Sequence, residues 1–139
     1  MTQKVEIHLK INAADGVSGD LEAELVVDGE VLSAFDYGPL DLGELELSTQ
    51  GDGTHFLWTC ECGFAGCAGR FKGVVVRHRG GEVEWCDRDM ERTYSFCTDE
   101  LRQSLVRTLA EGQRLLAERP AVEIIPDQNR EYFRVRHPA

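Results

Sequence analysis

The segment Val74-Val75-Val76-Arg77-His78-Arg79-Gly80-Gly81-Glu82-Val83-Glu84-Trp85-Cys86 restricts this chain more than any other. Two glycines between alternating runs suit a two-residue hairpin loop, because glycine takes the positive φ that such loops need. With Gly80-Gly81 as the loop, Arg79 stands opposite Glu82, Arg77 opposite Glu84 and Val75 opposite Cys86. Two Arg–Glu pairs then share one face, while Val76 meets Trp85 and His78 meets Val83 on the other. A slip of one residue would carry arginine and glutamate into the apolar face. The segment is expected to be an antiparallel pair with Trp85 turned toward a core.

The same period of two recurs upstream. Val5, Ile7, Leu9 and Ile11 alternate with Glu6, His8 and Lys10, and Leu21, Ala23, Leu25 and Val27 alternate with Glu22 and Glu24. Both runs read as half-buried strands. Asp28-Gly29 is a second hairpin signal, with a return strand from Glu30 to Phe35. Leucines at 40, 42, 45 and 47 form a less regular segment, in which Asp41, Glu44 and Glu46 read as a solvated strand face. Phe56, Trp58 and Cys60 suggest a strand running into a cysteine cluster, and Tyr94 with Phe96 suggests another.

Helical spacing appears once. Leu101, Leu105, Leu109 and Leu116, with Val106 and Leu115 beside them, make one apolar stripe over 98–119. Thr98 is the expected N-cap, Asp99 and Glu100 suit the first turn, and Pro120 ends the helix. Gly112 on the stripe predicts close packing against the sheet. Val122–Ile125 is a further short strand stopped by Pro126, and Tyr132-Phe133 belong to a tail that lays its rings on the body. These elements predict an α+β fold: a mostly antiparallel sheet of about six or seven strands with one long C-terminal helix packed on a face. With 139 residues and 42% hydrophobic content, the expectation is one domain. Within it lie an acidic β-rich third (1–53), the cysteine turn and hairpin (54–97), the helix (98–119) and the tail (120–139).

Charge is unevenly spread. Residues 1–53 hold 12 Asp and Glu against Lys4 and Lys10, whereas residues 54–139 hold 13 acidic and 13 basic side chains. The whole net charge of −10 therefore resides in the first third. Such a surface repels nucleic acid and anionic lipid. The chain opens without the apolar core of a secretory signal, and Val74–Val76 is far short of a membrane span. A cytoplasmic location is expected.

One stretch looks specialised. Trp58-Thr59-Cys60-Glu61-Cys62-Gly63-Phe64-Ala65-Gly66-Cys67-Ala68-Gly69 places three thiols within eight residues. The five cysteines are an odd number without an export signal, which favours thiols or a metal site over a disulfide framework. Structural zinc takes four Cys or His ligands. Cys60, Cys62 and Cys67 supply three, and the hairpin register brings Cys86 nearest as the fourth. A strand connection with buried thiols is the alternative, and thiol chemistry at Cys60, Cys62 or Cys97 another. The turn, followed by two β-runs, resembles a group of small uncharacterised bacterial proteins with a W-x-C-x-C-G-x-x-G-C-x-G signature. That resemblance covers about residues 55 to 110. It implies a β-rich body with a C-terminal helix, and no established activity.

No HExxH, no G-x-S-x-G elbow and no phosphate-binding glycine loop occurs. The leading functional expectation is a non-enzymatic interaction module, immunity-like or adaptor-like, that docks a basic protein partner through Glu22, Glu24 and Glu30. A zinc-binding protein is the alternative, and a thiol-dependent enzyme the third reading.

Overall fold

Side-chain chemistry at the Gly80-Gly81 loop sets the register of the second half of the chain. The structure, a computed structural model, describes residues 2–12, 19–32, 38–59 and 71–135. Among them are β1 (Val5–Asn12), β2 (Asp20–Val27), β3 (Glu30–Leu32), α1 (Leu42–Ser48), β4 (Gly53–His55) and β5 (Val74–Arg79). Then follow β6 (Glu82–Asp87), β7 (Arg92–Cys97), α2 (Thr98–Glu118), β8 (Glu123–Ile125) and α3 (Gln128–Val135). The fold is α+β, as expected, but its strands divide between two sheets of four.

The second sheet runs β4-β5-β6-β7, all antiparallel. Val75 pairs with Cys86, Val76 with Trp85, Arg77 with Glu84 and Arg79 with Glu82, the register that the Arg–Glu pairs dictate. Its inner face buries Val74, Val76, Val83, Trp85, Tyr94 and Phe96. Trp85 packs edge-on against Phe96 at 4.8 Å and Trp58 at 6.2 Å between ring centroids.

In the first sheet β2 is central. It pairs antiparallel with β1 on one side, and on the other with β3 (antiparallel) and β8 (parallel). Asp28 and Gly29 both take positive φ, +50° and +83°, so the expected hairpin turn is present. Its return strand is described over Glu30–Leu32, and residues 33–35 of the expected strand lie outside the described residues. Gln3 bridges to Phe96 of β7 and ties the two sheets together. One contiguous core unites Leu21, Leu25 and Val27 of β2 with the inner face of the second sheet and Leu101, Leu105 and Leu115 of α2.

Several expectations change in detail. The leucine segment after Pro39 is α1, not a strand. Asp41 caps it, accepting from Glu44 N–H at 3.1 Å, and Leu42 and Leu45 are buried. The strand expected through Phe56–Cys60 lies earlier, as β4. Leu57, Trp58 and Thr59 are all buried, Trp58 forms an isolated bridge to Leu40, and Cys60 lies outside the described residues. Helix α2 has the expected span, but Cys97 holds the N-cap position without a side-chain bond, and Thr98 Oγ1 is buried with no partner. Val106 is 68% exposed; Ser104 and Thr108 share the buried stripe instead. Gly112 faces α3 rather than a sheet, and a Cβ there would overlap the Phe133 ring. The tail aromatics Tyr132 and Phe133 are buried, as expected, on a helix that their sequence did not suggest.

Candidate interaction face and cysteine turn

Strand alternation puts every second residue of β1, β2 and β8 on the side of the first sheet away from the core. On β1 these include Glu6, His8 and Lys10; on β2, Asp20, Glu22, Glu24 and the buried Val26; on β8, Glu123 and Ile125. The pairing sets Glu24 beside His8, Glu22 beside Lys10 and Asp20 beside Glu123. Among the described residues, five carboxylates thus share this face with one lysine and one histidine, and Arg107 and Arg130 line recesses at its edges beside Glu6 and Glu123. Lys10 Nζ reaches Glu24 Oε1 at 3.5 Å, and His8 Nε2 lies 3.0 Å from Glu6 Oε2. Asp20 and Glu123 are like charges in direct register, an arrangement that opposes folding.

Of the three residues expected to dock a partner, Glu22 and Glu24 lie together on this face, half-buried. Glu30 does not join them. It pairs with Val27, whose side chain is buried in the core, so the register turns Glu30 toward the opposite side at the exposed hairpin end. Glu6, Asp20 and Glu123 complete the face. The first two share the period of their strands, but Glu123 arrives through a pairing between distant segments that local spacing does not reveal.

Glu44 and Glu46, also in the acidic first third, have structural partners. His55 Nδ1 lies 3.1 Å from Glu44 Oε1, and Tyr132 donates to Glu46 Oε2 at 3.1 Å. Asn129, buried, donates to Leu40 O at 2.8 Å and accepts from Leu42 N–H at 2.9 Å, which fixes where α1 begins. His78 Nε2 lies 2.8 Å from Ser48 O. These contacts fasten α1 to β4, β5 and α3, and give Glu44 and Glu46 a role other than the solvated strand face expected of them.

Of the expected metal ligands, Cys60, Cys62 and Cys67 lie outside the described residues. Cys86 is exposed on the outer face of the second sheet, opposite Val75. A recess of about 390 Å³ there is lined by Val75, Arg77, Glu84, Cys86, Arg88 and Thr93, among others. Among the described residues no group of three or more His, Cys, Asp or Glu side chains is placed to hold a metal. The chain leaving the cysteine turn is anchored beside Cys86. The Asp89 carboxylate accepts from Phe71, Lys72 and Gly73 N–H at 3.2, 3.0 and 2.8 Å, and Arg88 N–H donates to Gly73 O. Gly73 takes φ +77°, which strains any other residue, and a Cβ there would press tightly on Thr54, His55 O and Phe56. Cys97 is half-buried at the strand–helix junction.

Among the described residues no helix is long and apolar enough to cross a membrane. No family model matches the chain, and neither does any curated protein or solved structure.

Proposed function

We propose that this chain is a non-enzymatic interaction module, immunity-like or adaptor-like, whose acidic sheet face docks a basic protein partner. One observation carries the reading: Glu6, Asp20, Glu22, Glu24 and Glu123 share the outer face of β1, β2 and β8, with Asp20 and Glu123 directly opposed. Like charges in register cost stability when the face is solvated. A partner's lysines and arginines would relieve that repulsion and speed encounter through the field of the whole face. The test is affinity capture from the host lysate with the wild-type chain and with Glu22→Lys/Glu24→Lys, at low and at high salt. A partner rich in Lys and Arg should be held at low salt, released at high salt, and lost on reversal. Capture that ignores the reversal overturns the reading.

A second reading has its own support. Zinc held by Cys60, Cys62, Cys67 and Cys86 is favoured by the exposure of Cys86 beside the Asp89 anchor, where the chain returns from the cysteine turn. Purified protein should then carry about one zinc per chain and release thiols on chelation. Zinc near zero, with every thiol titrating freely in the native state, ends it.

A further inference from the structure

Among the described residues, strand β1 has one edge paired to β2 and no strand paired along the length of the other. Its even-numbered residues turn their backbone groups toward β2, in phase with Asp28 N–H donating to Lys4 O at 2.8 Å. The odd-numbered residues turn theirs outward. Gln3 N–H is taken up by Ser95 O of β7. Val5 N–H donates to Glu100 Oε1 at 3.0 Å, and Val5 O accepts from Ser104 Oγ at 3.4 Å, both from α2. Beyond Val5 the backbone bonds from α2 end among the described residues, and Ser104 and Arg107 only flank a recess beside Glu6, Ile7 and His8. Among the described residues, the outward N–H and C=O groups of Ile7, Leu9 and Ile11 meet no partner.

The geometry points to a second copy of this chain as the occupant, its β1 pairing antiparallel with this one about a two-fold axis at His8. In such a pair, opposed residue numbers sum to a constant, which is even when the outward groups of both strands meet. Centring on His8 sets the two His8 rings, which carry no fixed charge, against each other at the axis, Glu6 against the partner's Lys10 and Ile7 against the partner's Leu9. Each Ile7–Leu9 pair then exchanges both backbone bonds, and the two Glu6–Lys10 pairs close the ends. Neighbouring registers lose this. Centring on Ile7 opposes Lys4 to the partner's Lys10 and drives the added strand into α2 at Val5. Centring on Leu9 sets His8 against Lys10, and centring on Lys10 brings two lysines face to face. The shoulder that Glu100 and Ser104 form at Val5 confines pairing to the residues beyond it. That window, Glu6 to Lys10, is the self-complementary one. A free edge with apolar residues on one face is a ready template for strand addition, and Ile7, Leu9 and Ile11 already lie half-buried against the core. The inference does not rest on the docking reading above.

Sedimentation equilibrium of the full chain over a concentration series tests it. The wild type should dimerise reversibly. Lys10→Glu and Glu6→Lys should each weaken the dimer about tenfold, because each reverses both end pairs, and Glu6→Lys/Lys10→Glu should restore most of the loss. Leu9→Pro removes an outward N–H without touching the β2 ladder, so it should abolish the dimer and leave the circular dichroism spectrum intact. Monomer at every concentration up to about millimolar overturns the inference, since weak specific pairing would show there. A dimer that persists in Leu9→Pro, or in which the two reversals simply add, overturns it as well. Should Leu9→Pro fail to fold, the charge swap alone decides.

Discussion

Gly112 shows two local effects in opposition. In an open helix, Gly112→Ala would gain about 1 kcal/mol from helix propensity. Here the new methyl group would overlap the Phe133 ring, and overpacking of a rigid aromatic costs about 1–3 kcal/mol. The steric cost prevails because Phe133 is 2% exposed and held by both helices. Gly112→Ala should therefore lower the urea midpoint. Adding Phe133→Leu should recover part of that loss, a coupling that a double-mutant cycle reads directly. Gly112 was legible as a close-approach position, because glycine on an apolar helical stripe has few other uses. Its partner was not, since the aromatic pair at Tyr132-Phe133 belongs to a helix of only eight residues with a strongly polar remainder. The same limit applies at Thr98. The Thr-Asp-Glu pattern marks the helix start correctly, but the chain enters from β7 one residue early and leaves Cys97 at the cap.

Elements were legible where two independent constraints agreed. Around Gly80-Gly81 the loop chemistry and the Arg–Glu pairing demand one register, and that register is present from Val74 to Asp87. Over Leu40–Leu47 the leucine spacing by itself is compatible with both periods. What separates them is Asp41 three residues before Glu44, which is the spacing of an N-terminal helix cap. Asp89 is an element-scale device of another kind, a single carboxylate that collects three consecutive backbone donors at the start of β5. Removing it leaves those groups to water or to nothing. Asp89→Ala should cost about 1–2 kcal/mol in urea unfolding at unchanged m value, because one of the three donors is partly buried. A loss below about 0.3 kcal/mol would mean that solvent replaces the carboxylate without penalty.

At the scale of the molecule, the charge imbalance has a thermodynamic signature. The outer face of β1, β2 and β8 gathers five carboxylates around Lys10, with Arg107 and Arg130 at its edges, and salt screens repulsion between exposed groups over about 10 Å at 0.1 M. Raising sodium chloride from about 20 mM to about 500 mM should raise the melting temperature by a few degrees. Asp20→Asn should remove part of that dependence by breaking the pair with Glu123. A melting temperature that stays flat or falls with salt would mean that the carboxylates are already compensated. This face was half legible. Alternation marked Glu22 and Glu24, whereas Glu123 joined through a parallel pairing across 100 residues of chain, which composition and period cannot register.

That pairing also bears on how the chain comes together. Strand β8 lies against the first three residues of β2, and Ile124 fills the core opposite Leu21. The acidic third is thus completed by the last quarter of the chain, much as an arch is closed by its final stone. A fragment ending at residue 53 would lack Ile124 and α2 and expose the underside of its sheet. A ribosome would have to release nearly the whole chain before this sheet acquires its full complement of neighbours. Excising the acidic third as a portable tag should therefore yield a peptide that lacks the pairing of β8 and the face residue Glu123 that comes with it.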